Sequence, residues 1–421
     1  MAAIPSTVSS VGETGQPAPR RAAVAGWISY DVGNTIFSAN ILSNYFALWI
    51  VRDAGGSDAM LATASAVASI LMLAVAPALG AISDRAARRL PFLAVSTLAC
   101  CVLTAMLGVG GLGLALVLFG AASFFFQAGL IFYDALLPAV STPETRGRIG
   151  GLGVGLGYLG SLVGLAIGAA TLRFGGDAPT IFRLTALAFL LFALPCLLLV
   201  REPGSAHRLD RAAIRASFAE FRQTAALLRS QPRLGRFLLG RVFYADAANT
   251  LTAYMGVYAV LEIGFSDARK DLLLLAGIAG ALAGGLLWGR VVDRLGPEPA
   301  LRLVLGLWAI VLLGAASVGL GWLPREIFWL VAPLAGAALG STWTTDRPLL
   351  IRLAPPQHLG QAMGLYAVTG RFAALVGQVT WAAVIGVLGW GRPVAVLALL
   401  AMVAVAALIL RPLWQPAPAS A

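Results

Sequence analysis

Twelve apolar stretches follow one another along the chain, near residues 25–50, 58–82, 91–111, 113–139, 148–171, 180–200, 237–262, 270–292, 300–321, 326–351, 360–388 and 393–411. A helix that crosses a bilayer needs about 20 mostly apolar residues, and each stretch has that length. The expected fold class is therefore an all-α membrane protein with twelve transmembrane helices. Composition agrees: the 421 residues are 59% hydrophobic and 12% charged, where a soluble domain carries about 25% charge.

The balance is basic, with 30 Lys+Arg against 19 Asp+Glu and a net charge of +11. In a soluble protein this would point to nucleic acid. Here the arginines gather in alternate loops, as the positive-inside rule requires. One side holds Arg20, Arg21, Arg85, Arg88, Arg89, Arg146, Arg148, the arginines from Arg201 to Arg236, Arg290, Arg294, Arg302, Arg352 and Arg411. Both termini and the long middle loop are expected to be cytoplasmic, and no nucleic-acid partner is expected. The tail to Ala23 lacks the order of a cleavable signal peptide, so the first helix is expected to be retained. Cys100, Cys101 and Cys196 all fall in apolar helices and read as packing residues. The excess of arginine over lysine, with abundant Ala and Gly, suggests a GC-rich bacterial genome and hence a bacterial inner membrane.

The chain repeats itself at close to half its length. Asp31-x-x-Asn34-Thr35 in the first stretch returns as Asp246-x-x-Asn249-Thr250 in the seventh. Gly80-x-x-x-Asp84-Arg85 returns as Gly289-x-x-x-Asp293-Arg294, and Asp134 has a counterpart in Asp346. Gly147, Gly151, Gly157 and Gly164 match Gly360, Gly364, Gly370 and Gly377. Each repeat has six helices, so both enter the membrane from the same side, a transporter plan that puts the site between the halves near the midplane. The expected organisation is a tail at 1–23, a first half at 24–200, a linker at 201–235, a second half at 236–412 and a tail at 413–421. In the linker Ile214, Phe218, Phe221, Ala225 and Leu228 form an apolar stripe at helical spacing among arginines, as in a helix lying on the membrane surface. It reads as a connecting strut, with regulation as the alternative.

The segment "GAISDRAARR", Gly80 to Arg89, resembles the signature between helices two and three of the major facilitator superfamily. With the degenerate second copy, the resemblance covers the whole chain and implies the major facilitator fold. Within that superfamily, "WISYDVGNT" from Trp27 and "FYDALLPAVSTPETRGRIGGLGVGLGYLG" from Phe132 look like the vacuolar amino-acid effluxer family. Gly33-Asn34-Thr35 departs from the Ala-Asn-Ser expected there. The resemblance implies efflux of small polar solutes, amino acids among them. It also implies a cytoplasmic charge lock that breaks when the inward side opens, carried here by Asp84, Arg85 and Arg88 with Asp134 as partner. Asp293, Arg294 and Asp346 form the second copy, expected to be weaker because Leu295-Gly296-Pro297-Glu298 follows.

Asp31, Asn34 and Thr35 share one face of the first helix, and Asp246, Asn249 and Thr250 the equivalent face of the seventh. Charged groups inside a bilayer cost about 2.5–3.5 kcal/mol on insertion scales and turn to a polar interior, so the two faces are expected to line one cavity. Each Asp either handles substrate or proton, or braces a neighbouring helix. Gln127 on the fourth helix joins the candidates. Arg371, deep in the eleventh, shares a face with Gln378. It either grips an anionic group of the solute or pairs permanently with Asp246 or Asp31. Arg347 reads as a local partner of Asp346, and Arg241 as a side chain that snorkels to the interface. Gly160, Gly164 and Gly168 are spaced for close helix approach.

Two glycine runs, at Gly108-x-Gly110-x-x-Gly113 and Gly155-x-Gly157-x-x-Gly160, spell a dinucleotide fingerprint without a βαβ unit and are rejected. No phosphate-binding GxxxxGK[ST] occurs, and the two histidines, His207 and His358, lie outside the stretches. No enzyme activity, cofactor or metal is expected. The resulting expectation is a monomeric secondary transporter that exports a small polar solute such as an amino acid, with the proton as candidate coupling ion. The alternative is a non-transporting receptor or scaffold of the same fold.

Overall fold

The computed structural model describes residues 20–86, 88–202 and 224–414. The linker stripe from Ile214 to Phe221 and both outer tails lie outside the described residues. Among those described the chain forms helices and turns, with no strand. The long helices are α1 (Arg21–Phe37), α2 (Asp58–Ala86), α3 (Leu90–Ala105), α4 (Leu112–Ala135), α5 (Arg146–Arg173), α6 (Ala178–Leu199), α7 (Pro232–Leu261), α8 (Asp267–Leu295), α9 (Pro297–Gly319), α10 (Phe328–Leu353), α11 (Leu359–Ala382) and α12 (Arg392–Leu410). Eight are long and apolar enough to cross a membrane by length and composition alone. The rods that miss that test include α1, α7 and α11, which carry the polar residues singled out above, and α3, which is short.

Three rods are irregular. α1 passes through a π-helical segment, Ser38–Ser43, before continuing as Tyr45–Arg52. α5 is interrupted at Tyr158, and α11 ends in a π-helical segment, Ala383–Val387. π-Turns inside long helices occur disproportionately at functional sites. Gly108 and Gly110, from the first rejected fingerprint, take positive φ (89° and 83°) in the turn between α3 and α4, which explains those glycines without a nucleotide.

Apolar side chains cover the outside of the bundle. Ile70, Val117, Leu198 and Leu408 are each more than half exposed, the face a lipid-embedded protein presents. Inside, α1 packs on α5 and α6 and α3 on α4 and α6, while α7 packs on α11 and α12 and α8 on α10. The stripe Gly160, Gly164 and Gly168 lies against α1. A Cβ at Gly160 would meet the Val32 carbonyl, one at Gly164 would lie 2.9 Å from Asn40 Oδ1, and one at Gly168 would strike the Tyr45 ring.

Helices from opposite halves of the sequence meet along two seams, α2 with α11 and α5 with α8, and the repeated residues build both. Gly80 lies against the Gly360 backbone, and Gly289 against that of Gly147. Asp84 accepts hydrogen bonds from the amides of Gly360 (2.8 Å) and Gln361 (2.9 Å). Asp293 does the same with the amides of Gly147 (2.7 Å) and Arg148 (2.9 Å). The first amides of a helix have no partner within it and carry partial positive charge, so each carboxylate caps a helix of the other half. This closes the bundle at the end where the chain's described N-terminal residues lie.

Substituting Gly80→Leu should wedge the α2–α11 seam apart. In a background lacking the three native cysteines, a thiol reagent should then label Ser83→Cys, whose parent side chain is fully buried, several-fold faster than with Gly80 intact. An unchanged labelling rate would show that the close approach does not hold this end shut.

Candidate functional site

Apart from the capping residues Asp84 and Asp293, the acids predicted from sequence separate into three environments. Asp31 on α1 and Asp134 on α4 converge on one guanidinium from α10. Arg347 Nη1 lies 3.4 Å from Asp31 Oδ2, and Arg347 Nε 2.9 Å from Asp134 Oδ1. All three side chains are about nine-tenths buried. The guanidinium also sits near the rings of Trp27 (5.9 Å) and Tyr133 (5.6 Å). These rings stack on each other at 4.7 Å, and Tyr30 also stacks on Tyr133 at 4.7 Å. Tyr133 Oη donates to the Trp27 carbonyl (3.0 Å), and Trp27 Nε1 donates to the Tyr133 carbonyl (3.3 Å). α5 makes room through glycine: a Cβ at Gly153 would lie 2.6 Å from the Trp27 ring, and one at Gly157 would lie 3.4 Å from the Asp31 carboxyl.

Arg347 is not the local partner of Asp346 that sequence adjacency suggests. Successive residues of a helix point about 100° apart, so Arg347 faces the first half while Asp346 faces α7 and α11. Asp346, fully buried, pairs with Arg241 Nε at 3.0 Å. It also accepts hydrogen bonds from Tyr244 Oη (2.6 Å) and Tyr366 Oη (3.3 Å). Arg241 Nη1 donates to the Tyr366 carbonyl (3.0 Å), and the guanidinium lies 3.5 Å above the Tyr366 ring. The expected snorkelling of Arg241 is thereby corrected. An interior acid, a carbonyl and an aromatic face satisfy it better than a stretch toward the interface. Asp134 and Asp346 thus belong to intramembrane ion pairs, and the partners of Asp84 include the α11 amides and Arg89, at 2.9 Å.

Asp246 forms the third environment. Thr250 Oγ1 approaches its Oδ1 at 3.4 Å, and the Gly377 backbone lies so close that a Cβ there would overlap the carboxyl. Its Oδ2 is buried without a hydrogen-bond partner, and no cation lies within ion-pair distance among the described residues. The buried oxygens Asn34 Oδ1, Gln127 Oε1, Ser123 Oγ and Ser341 Oγ are likewise without partners. Thr35 donates to the Asp31 carbonyl of its own helix (2.9 Å), and Asn249 is half-buried. The side chains of Arg371 and Gln378 lie outside the described residues, though α11 carries both positions. Among the described residues no group of His, Cys, Asp and Glu could hold a metal.

Sequence adjacency assigns Arg347 to the wrong acid, and the sequence reading misses Arg241, Tyr244 and Tyr366 as partners of Asp346. One signal was available. An arginine inside an apolar stretch needs an acid, and the stretches offer few beyond Asp31, Asp134, Asp246 and Asp346. A cavity of about 890 Å³ lies between α2 and α4 and is lined almost wholly by apolar side chains, among them Val67, Leu71, Leu116 and Phe124. Its deepest α4 residue, Phe125, is about 13 Å along the helix from Asp134, so it is separate from the ion-pair cluster.

The family model described as Major Facilitator Superfamily matches residues 33–378 and 272–421. An uncharacterized protein of Aquifex aeolicus (strain VF5) is 27% identical over 358 residues, covering 84% of this chain and 86% of that one. The uncharacterized MFS-type transporter YxiO of Bacillus subtilis (strain 168) is 25% identical over 372 residues, covering 83% and 85%. Among solved structures, a bacterial homologue of the iron transporter ferroportin in an outward-facing state superposes with a TM-score of 0.73 at 15% identity, over 93% of this chain and 99% of that one. That likeness shows the fold.

Arg347→Gln should lower stability by about 3 kcal/mol or more, because it leaves two buried carboxylates without their cation. Adding Asp134→Asn should restore part of the loss, since the remaining charge imbalance is smaller. Thermal unfolding of the purified variants measures both, and equal melting temperatures for Arg347→Gln and the wild type would refute the electrostatic role of the cluster.

Proposed function

Because the chain belongs to the major facilitator superfamily, and is therefore a membrane transporter of small solutes rather than an enzyme, we propose that it exports a small polar solute, amino acids being the leading class, by alternating access of two six-helix halves. The observation that carries this reading is Arg347. It comes from α10 in the second half and is held by Asp31 and Asp134 of the first. Opening the bundle at this end must draw Arg347 away from at least one of its acids. An acid left without its cation in a membrane interior needs a proton or the positive group of a solute.

The same geometry suits a zwitterion. Asp246 has no cation partner among the described residues, and Asn34, Gln127 and Ser123 hold unpaired buried oxygens, which suits donor groups such as an ammonium. A guanidinium released from its acids suits a carboxylate, which it binds with two parallel hydrogen bonds. Arg347 fills that role here, and Arg371 with Gln378 extends it on α11. We take Asn249, Thr35 and Thr250 as polar lining beside the acids. We assign the closing of this same end to Asp84 and Asp293, with Arg85, Arg88 and Arg294 around them as a charge lock that breaks when the inward side opens. The halves are taken as 24–200 and 236–412, joined by a linker at 201–235, in a bacterial inner membrane with both termini cytoplasmic. The protein is taken to work as a monomer, with the proton as coupling ion.

The test is efflux from proteoliposomes loaded with an amino-acid panel, with and without a pH gradient. Wild-type protein should move at least one of them, faster with the gradient. Asp31→Asn combined with Asp246→Asn should abolish the gradient's effect. Transport at full, gradient-dependent rate in the double variant would overturn the coupling role.

A further inference from the structure

A second cavity, of about 380 Å³, lies across the α5–α8 seam at the end where the Asp84 and Asp293 caps are found. Glu144 and Arg146 line it from the first half, and Asp293, Gly296, Pro297 and Arg352 from the second. It lies apart from the intramembrane ion pairs, and of the side chains that line it only Asp293 has a part in the cycle described above.

The acids at this cavity are already engaged. Asp293 takes the Gly147 and Arg148 amides, one on each oxygen. Glu298, behind Gly296, is bound by Arg352 at 3.0 Å and by Arg233 at 3.6 Å. Glu144 is fully exposed, and the Thr142 hydroxyl holds its carboxyl below the usual carboxylate range, so it stays ionised in water. Arg146 is different. Its Nε is buried without a hydrogen-bond partner, and its guanidinium makes no ion pair within 4 Å among the described residues. Arginine does not deprotonate to escape such a position. Glu144 acts on this guanidinium only through space, so the buried Nε is left with a donor to offer at the cavity, with the Arg352 guanidinium on the opposite wall.

We propose that this cavity is an anion site, taking a phosphate or carboxylate group on Arg146 with Arg352 from the opposite half. The planar fork of each guanidinium offers two parallel donors to such a group. Because Arg146 opens α5 and Arg352 closes α10, the occupant ties the two halves together at the seam. A ligand that binds one conformation alone stabilises it by mass action, so the site holds the transporter in the conformation described here. The group can arrive on a soluble anion or on the head group of an anionic lipid, and it acts whichever solute crosses.

Thermal unfolding of the full-length protein, in detergent and in nanodiscs of phosphatidylcholine alone or with phosphatidylglycerol, tests this. Inorganic phosphate, compared with chloride at matched ionic strength, should raise the melting temperature with saturation. Arg146→Gln should weaken apparent phosphate affinity about tenfold, the loss of a charge-assisted hydrogen bond, and Arg352→Gln should weaken it less. Arg146→Lys, which keeps the charge and loses the fork, should fall between and guards against misfolding of the glutamine variant. If phosphatidylglycerol stabilises the wild type and removes the phosphate response, the lipid is the source. If the phosphate response persists beside it, the source is a soluble anion. If neither phosphate nor phosphatidylglycerol stabilises the wild type beyond chloride and beyond the Arg146 variants, the proposal is wrong.

Discussion

A guanidinium in the interior of a membrane bundle must find acceptors, and Arg347 finds them on the opposite half of the protein. Asp31 and Asp134 reach it from α1 and α4, and the Trp27–Tyr133–Tyr30 stack fixes the spacing of those helices. The arrangement makes relative motion of the halves an electrostatic event. Separating them leaves one positive and two negative groups in a medium that solvates none of them well. The glycines of α5 that admit Trp27 and Asp31, and the close packing of α5 on α8, serve the same contact.

The two kinds of inter-half contact differ in symmetry. At the seams, Asp84 and Asp293 perform the same act on α11 and α5, each beside a glycine of its own helix that packs on the partner backbone, so the repeat in the sequence becomes a pseudo-twofold in space. Deeper in the bundle the symmetry breaks. Asp134 pairs across the halves with Arg347, whereas its counterpart Asp346 pairs inside its own half with Arg241, Tyr244 and Tyr366. Asp31 has a cation and its counterpart Asp246 has none among the described residues. The repeat supplies the scaffold, and the side chains that differ between the copies make the interior of the two halves unlike.

Much of the frame was legible in the chain. Apolar length gave the rods, and the repeated Gly80-x-x-x-Asp84 motif and the α5 glycines prove to lie at the two seams, although their spacing did not say which helices meet there. The partners were not legible, for a physical reason. Asp346 and Arg347 are neighbours in sequence, but helix geometry turns them to different halves, so the adjacent pair is the one that does not form. Arg241 and Asp346 are 105 residues apart, a distance that no periodicity reports. The π-helical segments of α1 and α11 also left no pattern, because one extra residue in a turn scarcely alters an apolar run.

The central claim is that the Arg347 cluster holds the halves together in one state and releases them in the other. Spin labels at Leu199 on α6 and Leu295 on α8, both exposed near the closed end, report the distance between halves by electron–electron resonance. With Asp31 and Asp134 both changed to Asn, the account predicts that the distance distribution gains a longer component relative to the wild type. A distribution unchanged by removing both acids would contradict it.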